Sequence, residues 1–190
     1  MDELLNYIQS LNDFSTKSWE ELQSALTLKT YAKNDMLLKE GEVCNALFYI
    51  VDGFCKSYYE VDGVVKNTGF FFENEIATNV NSFGTGEKSK FNISACSSLS
   101  TIVFDKKLLF ELAKENKEIE DLGRNCLRVF ATKQEEFLNL FSLYSPQERL
   151  EYIEKNYPNL ILRVSLSQLS SFIGVSRETL SRIRKRRMES

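Results

Sequence analysis

The chain has 190 residues, 43% of them hydrophobic, with 14 Phe and 8 Tyr but only 2 Pro and 8 Gly; it can bury one medium domain and a small one, and has little material for long linkers. There is no histidine and the net charge is −3, which removes the commonest general base, metal ligand and haem ligand together and leaves no visible catalytic constellation, so no enzyme is expected. No apolar run is long enough to cross a bilayer, and Met1-Asp2-Glu3-Leu4-Leu5 lacks the basic-then-apolar opening of a secretory signal, so a cytoplasmic protein without a membrane partner is expected.

The first 26 residues read as two short helices, over 2–10 and 17–26, with Ser15 or Thr16 capping the second and Leu22, Ala25 and Leu26 on its inner face. From about 28 to 104 the pattern turns to strands. Leu47-Phe48-Tyr49-Ile50-Val51, Cys55-Lys56-Ser57-Tyr58-Tyr59, Val64-Val65-Lys66 and Phe91-Asn92-Ile93-Ser94-Ala95-Cys96 are β-branched and aromatic, and Asp52-Gly53, Asp62-Gly63 and Gly84-Thr85-Gly86 break them. Asp-Gly between strands marks a hairpin because both residues tolerate positive φ. Close-set short strands predict a barrel or sandwich.

Residues 106–142 return to helical composition with a break at Asn116-Lys117. Leu127, Phe130, Gln134, Phe137 and Phe141 recur at coiled-coil spacing for about two heptads, which fits a dimer seam with Gln134 setting register and also a buried helix inside one chain; a palindrome-reading helix-turn-helix favours the dimer. Ile119, Leu122, Cys126 and Val129 fall on a neighbouring side, suited to packing on the strand domain. Ser145-Pro146-Gln147-Glu148 is a helix start, with Ser at the cap, Pro at the first position and Glu completing a capping box. It opens a helix near 146–156 that turns Leu150 and Ile153 inward and ends at Asn156-Tyr157-Pro158-Asn159. Leu160-Ile161-Leu162-Arg163 reads as a short strand.

The segment 164–186 reads as two helices split at Gly174. Ser165 caps the first, and Leu169, Phe172 and Ile173 make its buried side. Gly174 supplies the left-handed turn. Ser176 caps the second, which Val175, Leu180 and Ile183 hold against the first. What remains on its outer side is polar or basic. Arginine can donate two bonds to guanine O6 and N7, and a carboxylate can accept from the cytosine N4 amine. Arg177 and Glu178 lie in the first turn, where a recognition helix meets base edges, and Arg182 follows one turn on. These three are the expected base contacts, suited to a G·C-containing half-site. Ser165, Ser167, Ser176, Thr179, Ser181, Lys185 and Arg186 are the expected backbone contacts, with Arg187 beside them.

Charge is distributed to match. Residues 151–190 carry 8 Lys and Arg against 4 Asp and Glu, while residues 1–150 carry 16 against 23. A basic end on an acidic body is the footprint of a nucleic-acid reader with a front domain of another purpose. Cys44, Cys55, Cys96 and Cys126 are widely spaced without a CxxC, so they read as reduced core residues rather than a zinc or iron–sulfur set.

This order of parts resembles the Crp/Fnr family of bacterial transcription regulators over nearly the whole chain. Leu38-Lys39-Glu40-Gly41-Glu42 followed by Phe48-Tyr49-Ile50-Val51-Asp52-Gly53 is similar to the family's β-roll glycine signature. Leu143-Tyr144-Ser145-Pro146-Gln147-Glu148-Arg149-Leu150 is similar to its entry into the DNA domain, and Gly174-Val175-Ser176-Arg177-Glu178-Thr179-Leu180-Ser181-Arg182-Ile183 to its recognition element. The resemblance implies an α+β chain. A cyclic-nucleotide-binding-like, jelly-roll-like double-stranded β-helix would span 1–116, a dimerisation helix 117–142, and a winged-helix-like helix-turn-helix 143–190. It also implies base contacts from Arg177, Glu178 and Arg182, a homodimer on double-stranded DNA, and contact with RNA polymerase.

The effector region departs from the family. Members that bind cyclic nucleotides have a Gly-Glu helix start, then an Arg-Ser/Thr-Ala step that grips the cyclic phosphate. Here Asn74 precedes Glu75, and Ser89-Lys90-Phe91 stands where the arginine step is due, with Ser89 in the arginine's place and Lys88 or Lys90 as the available cations. Lysine lacks the planar two-point grip of arginine, so cyclic AMP and cyclic GMP are not expected. Glu75, Lys88, Ser89 and Lys90 are the positions an effector pocket would use, and Phe70, Phe71, Phe72 and Phe83 are the aromatic lining for a small apolar or anionic effector. Neither haem nor an iron–sulfur cluster is expected, since the chain has no histidine and no cysteine before Cys44. The sequence ends shortly after the reading helix, where relatives often continue into a β-hairpin wing. The alternative from another class is a sensory module of the cyclic-nucleotide type whose C-terminal helices bind a protein.

Overall fold

The computed structural model describes residues 1–188, with side chains through Arg186. Two helices open the chain, α1 (Asp2–Leu11) and α2 (Thr16–Gln23). Ser15 caps α2 by accepting from the Ser18 backbone N–H at 3.2 Å. Leu26 is not helical. It begins the first strand, since the polar Ser24 ends α2 and Ala25 turns inward.

Eight strands follow: β1 (Leu26–Tyr31), β2 (Met36–Leu38), β3 (Ala46–Asp52), β4 (Cys55–Val61), β5 (Val64–Phe71), β6 (Ile76–Ala77), β7 (Asn92–Ala95) and β8 (Leu99–Asp105). A short helix, α3 (Val80–Thr85), interrupts them. They form two four-stranded sheets, in the orders β1-β8-β3-β6 and β2-β7-β4-β5. The fold is α+β around an antiparallel β-roll.

The two Asp-Gly steps do different things. Asp62 and Gly63 have φ of 52° and 73°, and their two-residue loop joins neighbouring strands β4 and β5, the hairpin expected of this dipeptide. Asp52-Gly53 joins strands of different sheets, so it is a corner and not a hairpin. Only Gly53 has positive φ there, 88°. A Cβ on Gly53 would lie 2.2 Å from the Ser98 carbonyl oxygen, so the close backbone crossing itself demands glycine.

Strand alternation divides the apolar residues between two cores. Phe48 and Ile50 point between the sheets with Tyr31, Leu38, Cys55, Ile93 and Leu99. Tyr49, with Leu47 and Val51, points the other way, toward Leu4, Ile8, Trp19 and Leu22 of the opening helices. Two later helices close this second core: α4 (Lys106–Glu115) and α5 (Lys117–Leu143). Asn116 breaks them apart. Its Oδ1 accepts from the Glu118 and Ile119 backbone N–H groups at 2.9 and 3.3 Å, which caps the start of α5. Ile119 and Leu122 are buried in this core, with Cys126 and Phe130 against it. Val129, expected on this side, is instead 42% exposed; Phe130 faces the core in its place, and the two positions are about 100° apart around a helix.

The remaining helices are α6 (Pro146–Asn156), α7 (Pro158–Arg163), α8 (Leu166–Ile173) and α9 (Arg177–Met188). The expected strand over 160–163 is the helix α7. Pro158 at its first position has fixed, helix-compatible φ, and Leu160 at the third turns inward, 2% exposed. No strand follows β8 among the described residues, so no wing is seen there. By internal contacts the chain forms two compact units, residues 1–57 with 71–131, and residues 58–70 with 132 onward.

Candidate nucleic-acid interface

The helix-turn-helix is built by local chemistry. Ser165 and Gln168 form a reciprocal capping box: Ser165 Oγ accepts from the Gln168 backbone N–H at 3.3 Å, and Gln168 Oε1 accepts from the Ser165 backbone N–H at 3.2 Å. Leu169, Phe172 and Ile173 are buried on the inner side of α8. Gly174 ends α8 at φ 83°, and its N–H donates to the Ser170 carbonyl at 3.0 Å. Two residues later Ser176 Oγ accepts from the Thr179 N–H at 3.1 Å and starts α9. Leu180 is fully buried beneath α9, with Val175 and Ile183 half-buried beside it.

The outer side of α9 exposes Arg177, Glu178, Ser181, Arg182, Lys185 and Arg186. Glu178 and Arg182 are four residues apart and share a face. The Glu178 carboxyl is held below its ordinary range by its own backbone N–H and by the Ser176 side chain, with smaller help from Arg177 and Arg182. It therefore stands as a carboxylate, an acceptor only.

Several expected backbone-contact hydroxyls are already engaged within the chain. Ser165 and Ser176 cap their helices. Thr179 Oγ1 accepts from the Ser176 hydroxyl at 3.1 Å and from Arg182 Nη2 at 3.2 Å, which holds Arg182 along its own helix. Ser167 is exposed, and its carbonyl accepts from the Ser170 hydroxyl at 3.0 Å. Arg184 is half-buried, its Nε shielded and without a partner among the described residues. Arg187 lies outside the described side chains.

Arg149 is a positioning residue that sequence reasoning passed over. Nη1 donates to the Ile173 carbonyl at 3.1 Å, Nη2 to the Phe141 carbonyl at 2.8 Å and Nε to the Tyr144 carbonyl at 2.9 Å. The guanidinium also stacks 5.3 Å from the Phe141 ring centroid. One planar cation thus satisfies carbonyls at the end of α5, in the turn after it and at the end of α8. A second contact ties α8 to strand β5. The Asn67 N–H donates to Ser171 Oγ at 3.0 Å, Ser171 Oγ donates to the Val65 carbonyl at 3.0 Å, and Asn67 Nδ2 donates to the Gln168 carbonyl at 3.2 Å. Phe70 meets Phe172 edge-on at 5.6 Å. No pattern in one sequence pairs residues about a hundred positions apart.

The expected seam on α5 does not keep one face. Phe130 packs against the helix-covered core. Phe137 and Phe141 pack edge-on against Phe172 at 5.6 and 5.7 Å, and Phe137 stacks on Tyr157 at 5.4 Å. Of the expected seam, Leu127 and Gln134 are exposed; among the other exposed residues of α5, Ala131 and Leu138 continue their spacing at steps of four, three and four residues.

The expected effector residues are not gathered around one space. Glu75 accepts from the Phe72 N–H at 2.8 Å and closes a tight turn. Ser89 is buried, its hydroxyl accepting from Asn79 Nδ2 at 2.9 Å and donating to the Phe91 carbonyl at 2.7 Å. Lys88 and Lys90 are exposed. Of the four aromatic positions, Phe54 stacks on Phe72 at 5.4 Å, Phe71 and Phe83 pack against the core between the sheets, and Phe70 meets Phe172.

Residues 28–116 match the family described as the cyclic nucleotide-binding domain. No curated protein sequence matches the chain. Among solved structures it is similar to FixK2 from Bradyrhizobium japonicum, with TM-score 0.70 and 18% identity over 85% of this chain and 83% of that one. It is similar to a protein from Eubacterium rectale assigned to the crp/fnr family of transcriptional regulators, with TM-score 0.69 and 13% identity over 97% and 88%. It is also similar to CLP from Xanthomonas campestris, described as a c-di-GMP-responsive global regulator, with TM-score 0.66 and 15% identity over 92% of each. At these identities the likeness is one of fold. The resemblance read from the sequence holds in the structure: a β-roll, a long helix and C-terminal helices follow in the same order. Among the described residues no helix is long and apolar enough to cross a membrane.

Proposed function

We propose that this chain, whose fold is that of the Crp/Fnr regulators, is a homodimeric transcription regulator that reads double-stranded DNA through α9. The observation that carries this is the outer face of α9. Arg177, Glu178 and Arg182 are exposed there, on a helix whose opposite side is sealed by Leu180 against α8. Arg177 and Arg182 are the candidates for guanine O6 and N7, and the ionised Glu178 for cytosine N4. A carboxylate beside phosphates is repelled unless it meets a base donor, so its place in the first turn favours a specifying role. Lys185 and Arg186 add phosphate contacts that position the helix without reading sequence. With Ser165 and Ser176 spent on caps and Thr179 engaged by Ser176 and Arg182, Ser167 and Ser181 are the better hydroxyl candidates for the backbone.

Dimerisation is proposed along α5 at Leu127, Ala131, Gln134 and Leu138, since Phe130, Phe137 and Phe141 are engaged within their own chain. The domain limits proposed from the sequence remain 1–116, 117–142 and 143–190. A non-enzymatic, cytoplasmic regulator that meets RNA polymerase is the reading the family likeness supports.

Binding of a cognate duplex and of random duplex by the full chain and its variants tests the proposal. Arg182→Ala costs about 1–3 kcal/mol on the cognate site only. Glu178→Ala relaxes choice at one base and keeps most of the affinity. Lys185→Ala weakens all duplexes alike and flattens the salt dependence. Equal losses on both duplexes for all three variants would contradict the assignment.

A further inference from the structure

The helix-covered core contains a cavity of about 630 Å³, inside the size range of small-molecule sites. It lies on the helix side of the β1-β8-β3-β6 sheet; of the residues expected to serve an effector, Phe83 lines it and Glu75, Lys88, Ser89 and Lys90 do not. Its floor is apolar and closed: Leu4 and Ile8 of α1, Ile76 of β6 and Phe104 of β8 are all buried. Cys126 is part of the wall, and burial pushes its thiol up to about 11, so it is a neutral, apolar surface. The mouth opens among α3, α4 and α5, where Val80 and Phe110, both off the proposed dimer stripe, are each more than a third exposed. Large apolar side chains gathered at one opening are uncommon on a monomer surface and mark a ligand or partner site.

Two further features define what the space accepts. Gly84 of α3 and Gly123 of α5 both line it, and a Cβ on either would meet nothing within 4 Å. Both glycines are exposed, glycine in a helix interior costs about 1 kcal/mol relative to alanine, and here no crowding requires it. The second feature is charge at the mouth. Glu120 is paired with Lys117 and Arg124, and Arg124 also with Asp121. Lys114 lines the same mouth, is exposed and has no carboxylate partner among the described residues.

We infer that this cavity binds an amphiphilic monoanion, an unbranched aliphatic chain in the apolar interior with its carboxylate head at Lys114. The assignment does not depend on DNA binding. It is tested by titrating the full chain with decanoate, below its micellisation concentration, and with decanol as the uncharged counterpart. Saturable one-to-one binding of decanoate is expected. Gly123→Leu and, independently, Gly84→Leu fill the space and lower affinity for both probes at least about tenfold, roughly the effect of losing one well-buried apolar contact set. Both variants should unfold at or above the temperature of the unaltered chain, since leucine is the better helix former. Lys114→Ala lowers decanoate affinity several-fold and leaves decanol unchanged. Absence of saturable binding, binding that survives both filled variants, or equal effects of Lys114→Ala on the two probes would overturn the inference.

Discussion

At the scale of single residues, Arg149 carries more of the C-terminal unit than its place in the sequence suggests. Its three carbonyl partners come from Phe141, Tyr144 and Ile173. Charged donors to partly buried carbonyls are worth about 1.5–3 kcal/mol each in favourable settings, but the shared side chain and partial exposure make the three far from additive. Arg149→Ala should lower unfolding stability by about 2–4 kcal/mol, read by denaturant or thermal unfolding. Arg149→Lys should rescue little, because one ammonium cannot span three separated carbonyls. Full stability of the lysine variant would show that charge alone is needed there.

Two capping carboxylates make a second residue-scale prediction. Glu118 is held below its ordinary range chiefly by the Ser15 backbone N–H, and Glu148 by the Ser145 side chain and then its backbone N–H. A carboxyl whose folded pKa is lowered stabilises the fold above its unfolded pKa and loses that contribution as pH falls through the folded value. The melting temperature should therefore be flat with respect to these groups near neutrality and decline below about pH 4.5, the ordinary range of glutamate. Glu118→Gln with Glu148→Gln should shallow that decline. An unchanged acid profile in the double variant would remove both groups from the account.

Among elements, what was legible was what local chemistry decides. The Ser145 capping box, the Ser165 cap, the Asn116 break and the Gly174 turn were all readable because each involves residues within a few positions. The Asp-Gly steps show the limit. Both accept positive φ, but Asp62-Gly63 closes a hairpin while Asp52-Gly53 turns a corner between sheets, and only the Ser98 crossing distinguishes them. On α7, Leu160-Ile161-Leu162 has strand-like composition, and the Pro158 start overrides it. On α5 the heptad pattern was real but ambiguous: the spacing that makes a two-chain seam also serves packing inside one chain, and Phe137 and Phe141 are used that way. The exposed series Leu127, Ala131, Gln134 and Leu138 is the stripe on which the proposed dimer depends. Leu138, 66% exposed, makes the clearest test. Leu138→Glu should shift the protein from dimer to monomer in sedimentation without loss of helical signal, because a buried unpaired carboxylate at a two-fold seam is costly. An unchanged dimer would move the interface off this stripe.

For the whole molecule, the division of labour is between an acidic front and a basic C-terminal end. Residues 1–150 have 16 Lys and Arg against 23 Asp and Glu, and residues 151–190 have 8 against 4. That asymmetry favours phosphate at one end while the front discourages indiscriminate adherence. The apolar cavity against α5 belongs to the front unit, with Gly123 and Leu127 in its lining. Leu127 is also the first residue of the exposed α5 series, so the cavity and the proposed seam share a helix.

The proposed function requires α9 to read bases, in two copies related by symmetry. Selection of bound sites from a pool of random duplexes by the full-length chain tests it most directly. Enrichment of an inverted repeat containing G·C pairs is expected, its half-sites one helical turn, about 34 Å, or a multiple apart, with Arg182→Ala losing that enrichment. Recovery of duplexes with no shared sequence, or of a motif that Arg182→Ala and Glu178→Ala select equally well, would contradict it.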